Sequence, residues 1–140
     1  MIRPSTQLDP VHRRFIHEHY DKSLETIEVD DLAGVRLRLP RIIDSLCRRR
    51  VSWQADLGTY AEAILAVVFG REYTAERDQL VQKAAYAALL YLCNPYDLIP
   101  DFTPGIGYVD DALVINRCLA VIRKNDRRAF EEICERAGNS

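Results

Sequence analysis

Asp97, Asp101, Asp110 and Asp111 are four carboxylates within one short stretch of chain. If they converge, they offer two kinds of chemistry. Hard cations such as Mg²⁺, Mn²⁺ or Ca²⁺ take oxygen ligands, so the four would form a divalent-cation site. Two carboxylates at close range also split their pKa values, which lets one act as acid and the other as base. Their spacing is not that of an EF-hand loop. Each also has a local structural use: Asp97 can close an Asx-turn, while Asp110 suits an N-cap and Asp111 the positive end of a helix.

The carboxylates sit in NPYDLIPDFTPGIGYVDD, Asn94 to Asp111. Asn94 and Pro95 stop a helix, Pro100 and Pro104 fix φ, and Gly105 and Gly107 accept positive φ. The stretch therefore reads as a rigid turn between two helices. Leu98, Ile99, Phe102, Ile106 and Tyr108 put apolar and aromatic side chains on it, and are its candidate interaction residues. A phosphate-loop reading fails, because the glycines follow a proline-rich turn and acidic residues stand where phosphate would bind.

Pro95, Asp97, Leu98, Ile99, Pro100, Asp101, Pro104, Gly107, Asp110 and Asp111 together resemble the signature of the YkvA-like family, a small bacterial helical domain of unknown function. Thr103 replaces the apolar residue usual before Pro104. The resemblance runs from about Trp53 to Ile122 and implies a helical fold, without a reaction, cofactor or substrate to carry over. Some relatives resemble membrane-associated proteins, so the resemblance also leaves peripheral membrane contact open.

Charge is unevenly distributed. The chain as a whole carries −2, yet residues 34–50 hold Arg36, Arg38, Arg41, Arg48, Arg49 and Arg50 against Asp44 alone. Arg41, Arg48, Arg49 and Arg50 are the candidate patch for nucleic acid or an acidic partner, with Trp53 just beyond. Residues 15–31 hold six acidic groups against Lys22, so the two stretches are expected to pair across the first two helices. His17, Glu18, His19 and Asp21 look metal-like but lack a further ligand at suitable spacing. All three histidines fall in the first nineteen residues, which gives no support to Ser-His-Asp or Cys-His catalysis.

The elements that must position these groups are helical. Apolar residues recur at helical spacing, and no segment alternates with period two between hairpin turns. A first helix is expected over Pro10–Ile27, with Val11, Phe15, Leu24 and Ile27 as its apolar stripe. A second is placed from Pro40 to about Arg49, a third from an N-cap at Ser52 to Phe69, and a fourth from an N-cap at Thr74 to Cys93. A fifth is capped by Asp110 and buries Leu113, Ile115, Cys118, Leu119 and Ile122. A last amphipathic segment carries Phe130, Ile133, Cys134 and Ala137.

At 140 residues with 48% apolar composition, the chain is expected to bury one real core without disulfides. Cys47, Cys93, Cys118 and Cys134 show no metal or redox spacing. The start of the chain has no secretory h-region and no apolar run approaches a membrane span, so the expected location is cytoplasmic. The fold class expected is all-α, one compact bundle of five or six helices. Residues 1–50 form an extension packed on the 51–140 domain, and the rigid turn joins the two central C-terminal helices. The functional expectation is a non-enzymatic module that binds an unidentified protein partner without a cofactor. A protein or enzyme using a divalent cation at the aspartates is the rival, and nucleic-acid binding through residues 36–50 the second.

Overall fold

The computed structural model describes residues 1–4, 9–29, 32–70, 79–93 and 108–138, and it is all-α. Six helices follow in order: α1 Pro10–Thr26, α2 Leu32–Cys47, α3 Ser52–Phe69, α4 Gln79–Cys93, α5 Val109–Asn125 and α6 Arg127–Arg136. The expected cap at Thr74 and the turn residues from Asn94 to Gly107 lie outside the described residues.

Local chemistry explains several boundaries. Asp9 accepts from the His12 amide at 3.0 Å and Pro10 occupies the first turn of α1, where its missing N–H costs nothing. Asp126 likewise caps α6 by accepting from the Ala129 amide at 3.1 Å. Gly70 ends α3 for a steric reason, since a Cβ there would stand 2.0 Å from the Ala66 carbonyl oxygen.

Three expectations about the helices change. α2 begins at Leu32 instead of Pro40, which lies inside it. Pro40 is exposed, so the carbonyl of Arg36 that it leaves without a helical donor faces solvent, where water can supply one. At α3, Ser52 is already helical and Val51 holds the cap position without a side-chain bond. In α1, Val11 and Phe15 are 77% and 56% exposed, while Ile16 and Tyr20 are buried. With Leu24 and Ile27 packed beside them, the buried stripe is 16, 20, 24 and 27, which follows i, i+4, i+8 and i+11 along one face.

α3, α4 and α5 make the centre, with Leu57, Ile64, Leu89, Ile115 and Leu119 fully buried. α1 packs on α4 and α5, α2 on α3 and α4, and α6 on α3 and α5. α1 and α2 do not pack on each other, so the expected pairing of acidic with basic stretches is not made between the described residues. Asp21 instead takes a two-point bond from Arg117 of α5, at 2.8 and 3.1 Å. At the start of the chain Asn116 of α5 holds the Ile2 backbone by both its amide nitrogen and its carbonyl oxygen, at 2.8 and 3.0 Å, and the Ile2 side chain enters the core.

The α2–α3 crossing depends on a helix-interior glycine. A Cβ at Gly58 would lie 2.9 Å from Leu46 Cβ and 3.1 Å from the Cys47 amide nitrogen, atoms that no side-chain rotation can move aside. Gly58→Ala is therefore expected to lower unfolding stability by about 1–2 kcal/mol. Steric overpacking of about 1–3 kcal/mol outweighs the helix propensity gained, about 1 kcal/mol. A urea-unfolding midpoint that rises in this variant contradicts the close crossing.

Candidate functional site

The joint between α4 and α5 is where the sequence concentrates its carboxylates. Of the four, the structure describes Asp110 and Asp111, which are 0% and 2% exposed in the first turn of α5. Asp97 and Asp101 lie outside the described residues, as do Leu98, Ile99, Phe102 and Ile106. Asp110 is not the cap. Tyr108 holds that position in the left-handed region, at φ 68°, and its carbonyl accepts from the Ala112 amide at 3.0 Å. This displaces Asp110 by two positions into the helix and turns its side chain inward.

The helix N-terminus explains why two buried carboxylates are tolerated there. Unsatisfied amides of the first turn carry partial positive charge that favours an anion. Tyr91 near the end of α4 adds a hydroxyl that donates to Asp110 Oδ2 at 2.9 Å, and so ties α4 to α5 across the joint. No feature of the sequence pairs Tyr91 with Asp110, because the bond joins two helices across a separation of 19 residues in the chain.

Tyr108 is half-buried beneath an arginine. The Arg49 guanidinium lies 4.7 Å from the Tyr108 ring centroid, and Nη2 donates to its hydroxyl at 3.4 Å, while Nη1 donates to Gln54 Oε1 at 3.3 Å. One member of the basic cluster therefore braces the start of α5, a cation–π contact of about 0.5–1 kcal/mol at an exposed site.

The remaining arginines are arranged differently. Val35, Leu39 and Leu46 face the core, so the opposite face of α2 carries Leu37, Arg41 and Asp44, with Arg48 one residue past its end continuing the line at i, i+4, i+7 and i+11. Arg36 and Arg38 flank this line and are exposed. Arg48 pairs weakly with Asp44 at 3.4 Å. Among the described residues, Arg36, Arg38, Arg41, Arg49 and Arg50 have no carboxylate partner. Trp53, by contrast, is 6% exposed and packed in the core, so it cannot supply a stacking surface beside the patch.

The histidine cluster has another use. Both Asp21 oxygens are taken by Arg117, and His17 is held below its usual pKa by burial and by the charges of Arg117 and Arg13. His19 stacks edge-on to Tyr91, with centroids 6.5 Å apart. No group of three potential metal ligands occurs among the described residues. Between α1 and α4 lies a cavity of about 140 Å³ lined by residues that include His19, Tyr20, Ala87 and Tyr91. That volume is below the several hundred Å³ of small-molecule sites.

Residues 83–116 match the DUF1232 family, described as a protein of unknown function. A stretch of 38 residues is 45% identical to a Bacillus subtilis (strain 168) protein named "Uncharacterized membrane protein YkvA". The segment is YkvA-like. The match covers 27% of this chain and 36% of the relative, so it spans about a third of the relative's length. No solved structure matches. On the fold, the matched residues 83–116 take in the body of α4 and the first half of α5. The Tyr91–Asp110 bond, the Asp110–Asp111 pair and Asn116 all belong to this YkvA-like segment. The arginine face of α2 lies outside it.

Proposed function

We propose that this chain is a non-enzymatic helical interaction module that recognises an anionic surface through the outer face of α2. The observation behind this reading is the set of exposed arginines without carboxylate partners among the described residues, on a helix whose opposite face is fixed in the core. Guanidinium forks suit carboxylates and phosphates, and an already ordered helix reduces the ordering cost of binding. The rest of the chain must be acidic, since its total is −2. The basic face is thus an oriented patch on a weakly acidic protein, able to steer the approach of a polyanion.

An acidic segment of a protein partner fits this chemistry. The Bacillus subtilis relative's description as a membrane protein adds lipid headgroups to the anionic surfaces worth testing. No helix among the described residues is long and apolar enough to cross a membrane. Cys47, Cys93, Cys118 and Cys134 are free thiols, which supports a reducing, cytoplasmic setting.

Retention on immobilised heparin, used as a generic polyanion, tests the reading. The wild-type chain is expected to be retained at low salt and released as salt rises. The triple variant Arg36→Glu, Arg38→Glu, Arg41→Glu is expected to flow through. A control with the same net charge, Lys124→Glu, Arg127→Glu, Arg128→Glu at the α5–α6 end, is expected to stay bound. Equal loss in both variants, or no retention of the wild type, overturns the proposal.

A second reading has a specific observation in its favour, the burial of Asp110 and Asp111 side by side. In it, a divalent cation is held by these two together with Asp97 and Asp101, for binding or for metal-dependent catalysis. Stabilisation by added Mg²⁺, Mn²⁺ or Ca²⁺ is its signature.

A further inference from the structure

Leu37 is the most exposed large apolar side chain described, at 84%, and it stands among arginines on the outer face of α2. A leucine held out in water among like charges gains nothing for folding. Its position relative to the core-facing Val35, Leu39 and Leu46 directs it straight away from the protein. Beside it, Arg38, Arg41 and Ile42 line a shallow depression. Val51, 44% exposed, follows Arg48, Arg49 and Arg50 just past the end of the helix. From Leu37 to Arg48 the strip is about 17 Å long at the helical rise per residue.

We propose that the outer face of α2 docks on an anionic lipid bilayer, with Leu37 entering the headgroup–acyl boundary while Arg36, Arg38, Arg41 and Arg48 contact lipid phosphates. This rests on the reading of that face as an anion-recognising surface. Two features select a bilayer among polyanions, and a third assists docking on any of them. The interface suits an apolar side chain flanked by basic ones, here Leu37 between Arg36, Arg38 and Arg41, since arginines keep their charge in the headgroup layer while the leucine reaches below it. A nucleic-acid duplex offers phosphates but no apolar layer, and Trp53, the nearby aromatic suited to base stacking, is buried. The charge imbalance within a chain of net −2 also turns this face toward a negative surface and the remainder away from it. The attachment is peripheral, because α2 also supplies core residues and lies along the surface of the bundle.

Vesicle co-sedimentation of the full chain tests this. The probes are phosphatidylcholine vesicles with and without about 30% phosphatidylglycerol to supply an anionic surface, and a blunt DNA duplex measured in the same buffer. Binding is expected to the anionic vesicles and not to the neutral ones. Each arginine near a charged membrane contributes about fivefold, so reversing Arg36, Arg38 and Arg41 to glutamate is expected to lower partitioning by about a hundredfold or more. Leu37→Gln is expected to lower it by about tenfold with an unchanged melting temperature, since that side chain supports no packing. Failure to bind anionic vesicles while heparin retention persists overturns the lipid assignment and leaves the anion-recognising module standing. Failure on both supports removes the two together. Tighter binding to the DNA duplex than to anionic vesicles, or a Leu37→Gln variant that partitions like wild type, also overturns the lipid assignment.

Discussion

Tyr20→Ala is expected to destabilise the protein by about 3–5 kcal/mol, the range for removing a buried aromatic ring. Tyr20 is 2% exposed and its hydroxyl donates to the Ala84 carbonyl at 2.6 Å, so it fixes α1 to α4 by packing and by a hydrogen bond. Cys118 of α5 stands against the same hydroxyl, its thiol pushed up to about 12 by burial, so it behaves as a packing group. Tyr20→Phe keeps the ring and is expected to cost about 1–2 kcal/mol. Urea unfolding followed by Trp53 fluorescence measures both. A Tyr20→Ala variant within about 1 kcal/mol of wild type means α1 is not anchored this way.

The same side chain carries a pH signature. Burial raises its pKa well above 10, with Cys118 and Asp21 acting in the same direction. The folded protein therefore holds the phenolic proton more tightly than the unfolded chain. Its contribution to stability is complete below pH 10 and is lost as the pH climbs toward the folded-state pKa. Stability is expected to fall less steeply above pH 10 in Tyr20→Phe than in wild type. Parallel curves indicate that this phenol is not the linked group.

Tyr20 also marks what the sequence does and does not reveal. The helical class follows from apolar periodicity, and the expected spans of α1 and α3 lie within one residue of the observed Pro10–Thr26 and Ser52–Phe69. The face of α1 does not, because Tyr20 is classed as polar or apolar according to where its hydroxyl finds a partner, and that partner lies 64 residues away. Pro40 suggests a helix start because that is its commonest tolerated place, but an exposed proline within an otherwise anchored helix is also tolerated. Gly58 falls inside the expected third helix with nothing in the sequence to mark it, because its role depends on how closely α2 crosses α3.

The candidate site follows the same division. Arginine enrichment in residues 36–50 is plain in the sequence, but the outward direction of Leu37 and Arg41 requires the helix to begin at Leu32, with its phase set by Val35 and Leu39. Asp110 reads as an N-cap because Asp at a helix start usually is one. Tyr108 in the left-handed region takes that place, an uncommon conformation for a bulky residue and one that no residue pattern announces.

Asp110→Ala is expected to cost about 2–4 kcal/mol, combining a buried charge-assisted hydrogen bond of about 1.5–3 kcal/mol with the loss of an anion from the start of α5. Asp110→Asn separates the two effects, since the amide oxygen still accepts from Tyr91 while the charge is gone. A double-mutant cycle with Tyr91→Phe is expected to give coupling of about 1–2 kcal/mol. Additive effects mean that the Tyr91–Asp110 bond contributes nothing of its own. The same Asp110→Asn variant also separates the two functional readings. If Mg²⁺, Mn²⁺ or Ca²⁺ raises the wild-type melting temperature and the amide variant folds but no longer responds, the carboxylate is holding a cation. If the wild type is indifferent to all three while Asp110→Ala still unfolds early, the buried carboxylates serve to start α5 and fasten it to α4. Ligand recognition then falls to the arginine face of α2, which does not depend on this joint for its charge.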